Sequence, residues 1–176
     1  MPDFFGNLID QILGFARAHE QWLPAIGFAF AFVKSLPLVA LFVPGTALLL
    51  SIGAVLGSGA GQFAPVWLAI AIGAALGDWV AYALGVKVGP ALLQWAPLRR
   101  RPRQVLRAAA FIKRWGVLSI VLCRFFGPLR ATVPTLAGIF EMRRGPFQAA
   151  NWASAFLWAA ALLAPGWAGV GWFMGR

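Results

Sequence analysis

Acidic side chains are nearly missing from this chain. Five Asp and Glu residues stand against fifteen Lys and Arg among 176 residues, a formal net charge of +10. Charged residues of either sign make up only 11%, where a soluble domain carries about a quarter. One cysteine, Cys123, excludes an intrachain disulfide and a cysteine-rich metal site. The single histidine, His19, sits in an amphipathic N-terminal stretch and reads as an interfacial residue, not a ligand or a base. A membrane-bound lipid enzyme needs paired carboxylates, a histidine or a metal site, and these are the groups in short supply, so the chain does not read as an enzyme. A basic leader is lacking too: residues 1–21 carry Asp3, Asp10 and Glu20 and do not read as a cleaved signal peptide.

What fills the chain instead is apolar. Hydrophobic residues supply 61% of it and the mean hydropathy is +0.78, the composition of an integral membrane protein. The basic excess does not suggest nucleic acid. Eleven of the fifteen Lys and Arg residues lie between Arg99 and Arg144, a bias that marks a cytoplasmic side and suits anionic headgroups.

The expected fold is all-α, one membrane domain over residues 1–176. Residues 1–21 repeat Phe4, Phe5, Leu8, Ile9, Ile12, Leu13 and Ala16 at helical spacing, an amphipathic helix on the membrane surface or packed on the bundle. Residues 22–61 are apolar enough to span, but Lys34, Pro37 and Pro44-Gly45 interrupt them. Proline removes a backbone donor, and broken backbone survives at membrane depth only where protein or a wet cavity shields it. That predicts a re-entrant hairpin with its tip between Pro37 and Thr46, with two ordinary kinked spans as the alternative.

Residues 65–88 form the cleanest span, with Gly73, Gly77, Gly85, Ala74 and Ala81 as a small-residue face and Asp78 as a lone internal charge. Residues 99–116 are basic and amphipathic. A second broken segment, 117–140, has basic residues on both flanks, which puts both its ends on one side and predicts a second re-entrant hairpin. Residues 146–173 are a second full span. Hairpin then span, twice, with one span between the hairpins, predicts an inverted repeat of the kind seen in secondary transporters.

The strongest functional signal is in CRFFGPLRATVPTLAG, where Arg124 and Arg130 flank Gly127-Pro128. A charge at the bilayer centre costs about 2.5–3.5 kcal/mol on insertion scales. Guanidinium groups hold phosphate through a rigid fork, and a broken helix exposes backbone N–H groups. Both fit a lipid phosphate drawn into the membrane; the alternative is that one arginine snorkels to the cytoplasmic interface and the other pairs with Asp78 to fix the fold. Asp78 either pairs with one of these arginines or carries a proton. Glu141, beside Arg143 and Arg144, reads as an interfacial ion pair, and Asn151 as a hydrogen-bonding partner of the hairpin or an interfacial amide. The nine tryptophans mostly fall near span ends, where they read as headgroup anchors, and need no binding role.

RFFGPLRATVPTLAG followed by FQAANWASAFLW resembles the signature of the DedA family, also called the SNARE-associated or VTT domain. LVALFVPGTALLLSIGAVLGSG and LGDWVAYALGVKVG resemble that family's first hairpin and its Gly-Asp helix. The resemblance runs from about Trp22 to Trp172. It implies two opposed re-entrant hairpins and lipid movement between leaflets of the bacterial inner membrane, where some members return undecaprenyl phosphate to the cytoplasmic face. By the same resemblance Arg124 and Arg130 are the essential arginine pair, Asp78 the Gly-Asp carboxylate and Asn151 the last-helix asparagine. Lys34 and Thr46 stand where many members carry acids tied to proton coupling.

The expected function is therefore a flippase for undecaprenyl (polyprenyl) phosphate. Arg124, Arg130 and Lys34 would hold the phosphate in a midplane cavity, with Asp78, Glu141, Thr46 and Asn151 in coupling or supporting roles. Pro44, Gly45, Gly127, Pro128 and Gly138 would act as helix breaks and hinges. The alternatives are a glycerophospholipid transporter or scramblase in the same groove, and a membrane-organising protein that binds anionic lipid through Arg99 to Arg114. No metal or organic cofactor is expected. Proton or sodium coupling and homo-oligomerisation stay open.

Overall fold

The computed structural model describes residues 18, 20–36, 45–57, 62–89, 91, 99, 102–125, 130 and 132–174. Among them every regular element is helical. A short 3-10 turn, Glu20–Trp22, leads into α1 (Leu23–Ser35); α2 (Gly45–Gly57), α3 (Phe63–Val88), α4 (Pro102–Trp115), α5 (Leu118–Cys123), α6 (Val133–Ile139) and α7 (Arg144–Met174) follow. All of the expected surface helix at residues 1–21 except residues 18, 20 and 21 lies outside the described residues, as do His19 and the expected breaks at Pro44, Gly127 and Pro128.

Among the described residues two helices are long and apolar enough to cross a membrane, α3 and the Arg144–Gly169 part of α7. At about 1.5 Å per residue, 20 residues cross the hydrocarbon, and both exceed that. Each begins two residues before its expected start, with Pro65 and Pro146 in the first turn, where a missing N–H leaves no hydrogen bond unmade. α1 and α2 have 13 residues each, about 20 Å, too short to cross alone. α1 ends at Ser35 because Leu36, preceding Pro37, is extended (φ −72°, ψ 138°).

Glycines set how the helices pair. A Cβ on Gly73 or Gly77 of α3 would strike the α1 backbone at Phe28 or Phe32, and one on Gly53 or Gly57 of α2 would strike α7 at Leu163 or Trp167. These contacts advance together along each pair, so α1 runs parallel to α3 and α2 parallel to α7. The Trp67–Phe156, Ala75–Asn151 and Tyr82–Phe147 contacts run in opposite senses along α3 and α7, so those two are antiparallel. It follows that α1 and α2 point in opposite directions. In the second half, α5 packs on α7 and α6 on α3. The small-residue face expected on α3 is thus shared between two partners: Gly73 and Gly77 admit α1, and Gly85 admits α6 at Gly138.

The amphipathic segment expected at 99–116 is α4, whose inner face carries buried Ala108 and Ile112 while Arg103, Arg107 and Arg114 are exposed. The apolar interior divides in two. Leu23, Leu49, Ile70, Trp158 and Leu163 belong to one cluster; Tyr82, Ile112, Ile120, Leu136 and Phe147 belong to the other.

Candidate functional site

A layer of buried polar and charged side chains separates the two apolar clusters. On α3, Asp78 falls between Ala74 of the first cluster and Tyr82 of the second. On α7, Asn151 and Ser154 fall between Ala150 of the second and Trp158 of the first. α1 contributes Lys34 and Ser35, the end of α5 contributes Arg124, and Arg130 lies just ahead of α6. Gly77 makes the assembly possible: a Cβ there would sit 2.5 Å from the Ser35 Cβ, so only glycine lets the end of α1 reach the level of Asp78.

Arg124 and Arg130 are held differently. Arg124 Nη2 meets Asp78 Oδ2 at 2.6 Å and also donates to the Asn151 carbonyl and side-chain oxygens, while its Nε donates to Ser154 Oγ at 2.8 Å. Asn151 Nδ2 in turn donates to the Ala75 carbonyl at 2.9 Å, and Ser154 Oγ to the Asn151 carbonyl at 3.0 Å. The end of α5 is thereby fastened to both α3 and α7. Arg130 donates from Nη2 to Ser35 Oγ at 3.2 Å, and its Cζ lies 4.0 Å from the centre of the Trp158 ring. Arg124 Nη1, Arg130 Nε and Asp78 Oδ1 have no hydrogen-bond partner among the described residues.

Three cations, Lys34, Arg124 and Arg130, face one carboxylate, Asp78, all four at most 8% exposed. Lys34 lies within Coulombic reach of Arg130 and repels it. Buried charge costs several kcal/mol per ion unless it is paired. The layer therefore holds two positive charges more than it can neutralise from its own described side chains. Such a site is chemically suited to an anion with two negative charges and several acceptor oxygens.

The sequence expectation set Arg124, Arg130 and Lys34 on the phosphate with Asp78, Glu141, Thr46 and Asn151 in support, and the structure places Arg124, Arg130, Lys34, Asp78 and Asn151 in this layer. Glu141 is elsewhere: it is exposed, in the turn between α6 and α7, with a left-handed φ of 53°, and makes no ion pair with Arg143 or Arg144. The turn is a helix end closed by Met142 N–H to Ala137 O and Glu141 N–H to Gly138 O, and it directs the Glu141 side chain outward. Gly45 and Thr46 lie in the first turn of α2. Gly138 is no free hinge here, since it is wedged against Gly85 of α3, where a Cβ would come 3.0 Å from the Gly85 Cα. Ser35, Ser154 and Trp158 were not anticipated. Asn151, Ser154 and Trp158 recur at helical spacing on one face of α7, a polar stripe within a span that could have revealed them.

The VTT domain model matches residues 43–168, which take in α2 through most of α7 and all of this layer except Lys34 and Ser35. The chain belongs to the VTT-domain (DedA) family. It is 34% identical over 136 residues to the Escherichia coli inner membrane protein YabI, an alignment covering 77% of this chain and 54% of YabI. It is 32% identical over 142 residues to E. coli inner membrane protein YghB (80% and 65% covered), and 30% identical over 141 residues to inner membrane protein YqjA (80% and 64%). The chain thus spans between about half and two-thirds of the length of these relatives. No solved structure matches it. With its two apolar spans, this VTT-domain protein is a multi-pass protein of the bacterial inner membrane.

Proposed function

We propose that this VTT-domain protein is a lipid translocase and not an enzyme, and that it moves a polyprenyl monophosphate of the undecaprenyl phosphate type between leaflets. The observation that carries this reading is the uncompensated charge of the buried layer. A phosphomonoester brings two negative charges and three acceptor oxygens, which would neutralise the excess left by Lys34, Arg124, Arg130 and Asp78. A zwitterionic phospholipid would bring its ammonium group among three cations and leave the excess in place.

The fold supports the transporter reading. Each half consists of two short helices and a span. In each half the first short helix packs on its own span and the second on the other half's span: α1 on α3 and α2 on α7, α5 on α7 and α6 on α3. Gly85 stands as far beyond Pro65 as Gly166 stands beyond Pro146, and Gly85 meets Gly138 of α6 as Gly166 meets Gly53 of α2. We read this exchange of arms as an inverted repeat of two re-entrant hairpins, with the polar layer near its centre. Arg124, with most donors engaged, fastens the layer. Arg130 and Lys34 meet the phosphate, and the hairpins part to admit it. Asp78 is the buried carboxylate among the described residues through which proton coupling would run.

The test is binding of undecaprenyl phosphate and of phosphatidylethanolamine to the purified protein and to Arg130→Ala. Binding selective for the monophosphate and lost in the variant is expected. Equal binding of both lipids would instead favour a glycerophospholipid transporter or scramblase. No binding in either protein would leave the layer as a fold-fixing network and turn attention to the exposed basic face of α4.

A further inference from the structure

We infer that Trp158 is the positioning residue of Arg130, setting the direction in which its guanidinium meets an anion. This rests on the reading of Arg130 as the arginine that contacts phosphate. The Arg130 Cζ lies 4.0 Å from the centre of the indole, with Arg130 5% and Trp158 4% exposed. A planar guanidinium stacks on an aromatic face, and the attraction grows when both are removed from water. With its Cζ held over the indole, the guanidinium has its approach to that face and its tilt restrained. The Nη2 to Ser35 Oγ hydrogen bond at 3.2 Å then restrains its rotation over that face, while Nε is left without a partner among the described residues. A fork held by its face and one corner keeps its remaining donors in a set direction, which is the preorganisation that recognition of a tetrahedral anion rewards.

The two restraints come from different places. Trp158 lies on α7 and Ser35 at the end of α1, so a shift of α1 against α7 would turn the guanidinium. Arg124 differs, since a carboxylate, an amide oxygen and a hydroxyl hold it by its donors. Trp158 is also part of an apolar cluster, and a merely structural tryptophan would give the same packing. The experiment must separate the two roles.

Farnesyl phosphate, a short polyprenyl monophosphate, is the probe, titrated into the full chain in detergent. Trp158→Leu is expected to weaken binding about 10-fold, and Trp158→Phe, which keeps an aromatic face, less than about 3-fold. In an Arg130→Gln background Trp158→Leu should cause no further loss. Side-chain NMR of 15N-arginine protein should show ring-current-shifted Arg130 N–H signals in wild type and Trp158→Phe, absent in Trp158→Leu. Equal losses in both backgrounds, or no ring-current shift in wild type, would overturn the inference. A wild type that keeps the shift but fails to bind the probe sinks the phosphate reading and upholds Trp158 as the residue that positions Arg130.

Discussion

Asp78 and Arg124 meet at 2.6 Å with side chains 2% and 0% exposed, and through them α3 is tied to the end of α5. Removing one member of such a pair leaves the other buried without its direct partner. Asp78→Asn or Arg124→Gln is expected to destabilise the protein by about 3–5 kcal/mol. The double variant should lose much less than the two single losses together, because neither charge is then left alone. Denaturant unfolding of the four proteins in one detergent checks this. Additive losses would mean that the pair does not couple the two helices.

The Gly85–Gly138 contact predicts a second asymmetry. A Cβ at Gly138 would collide with the Tyr82 carbonyl, and backbone cannot swing aside as a side chain can. Gly138→Ala should cost about 1–3 kcal/mol by overpacking, or separate α6 from α3. Gly145, in the first turn of α7, has open space around it. Gly145→Ala should therefore be neutral or stabilise by up to about 1 kcal/mol, as alanine does in a helix. Thermal unfolding of the two variants in parallel gives the comparison.

How much of this was legible beforehand follows from which interactions are local. The two spans and α4 were readable because apolar length and 3.6-residue periodicity belong to single segments. Arg124, Arg130, Asp78 and Asn151 were readable because charge or amide in a span is costly enough to need a reason. Which arginine takes Asp78 was not readable, since that depends on where the end of α5 meets α3. Nor was the exchange of arms between the spans, because periodicity says that a face is covered and not by what. Ser35 and Ser154 carry no signal of cost, as serine in an apolar helix can satisfy itself on its own backbone, and Ser154 does so at the Asn151 carbonyl. Trp158 carries no signal of cost either, since an indole in an apolar span reads as packing or anchoring.

Glu141 occupies the left-handed position at the end of α6, where glycine is the usual residue. A side chain there costs about 1–2 kcal/mol in the left-handed region, partly offset by the greater freedom that glycine has in the unfolded chain. Glu141→Gly should therefore stabilise the protein by about 1 kcal/mol and leave lipid binding unchanged. A loss of transport in this variant, with stability gained, would show that Glu141 has a role in coupling that its exposed position does not suggest.

Lys34 gives the prediction that separates stability from function most sharply. It is buried within Coulombic reach of Arg130, with like charge, so it raises the energy of the empty protein. Lys34→Glu would convert repulsion into attraction and take the described charges of the layer from two in excess to balance. The empty protein should gain stability, by about 1 kcal/mol or more, as a buried charge finds a partner. Affinity for a polyprenyl monophosphate should fall at least about 10-fold, because the new carboxylate occupies the field that the phosphate needs. Lys34→Gln should show both effects at smaller size. Unfolding and lipid-binding measurements on the same three preparations decide the matter. Opposite signs in the two measurements mean that Lys34 is kept for an anion at a cost to the fold. A loss in both would mean that Lys34 supports the structure through contacts of its own, and the phosphate would then rest on Arg130 alone.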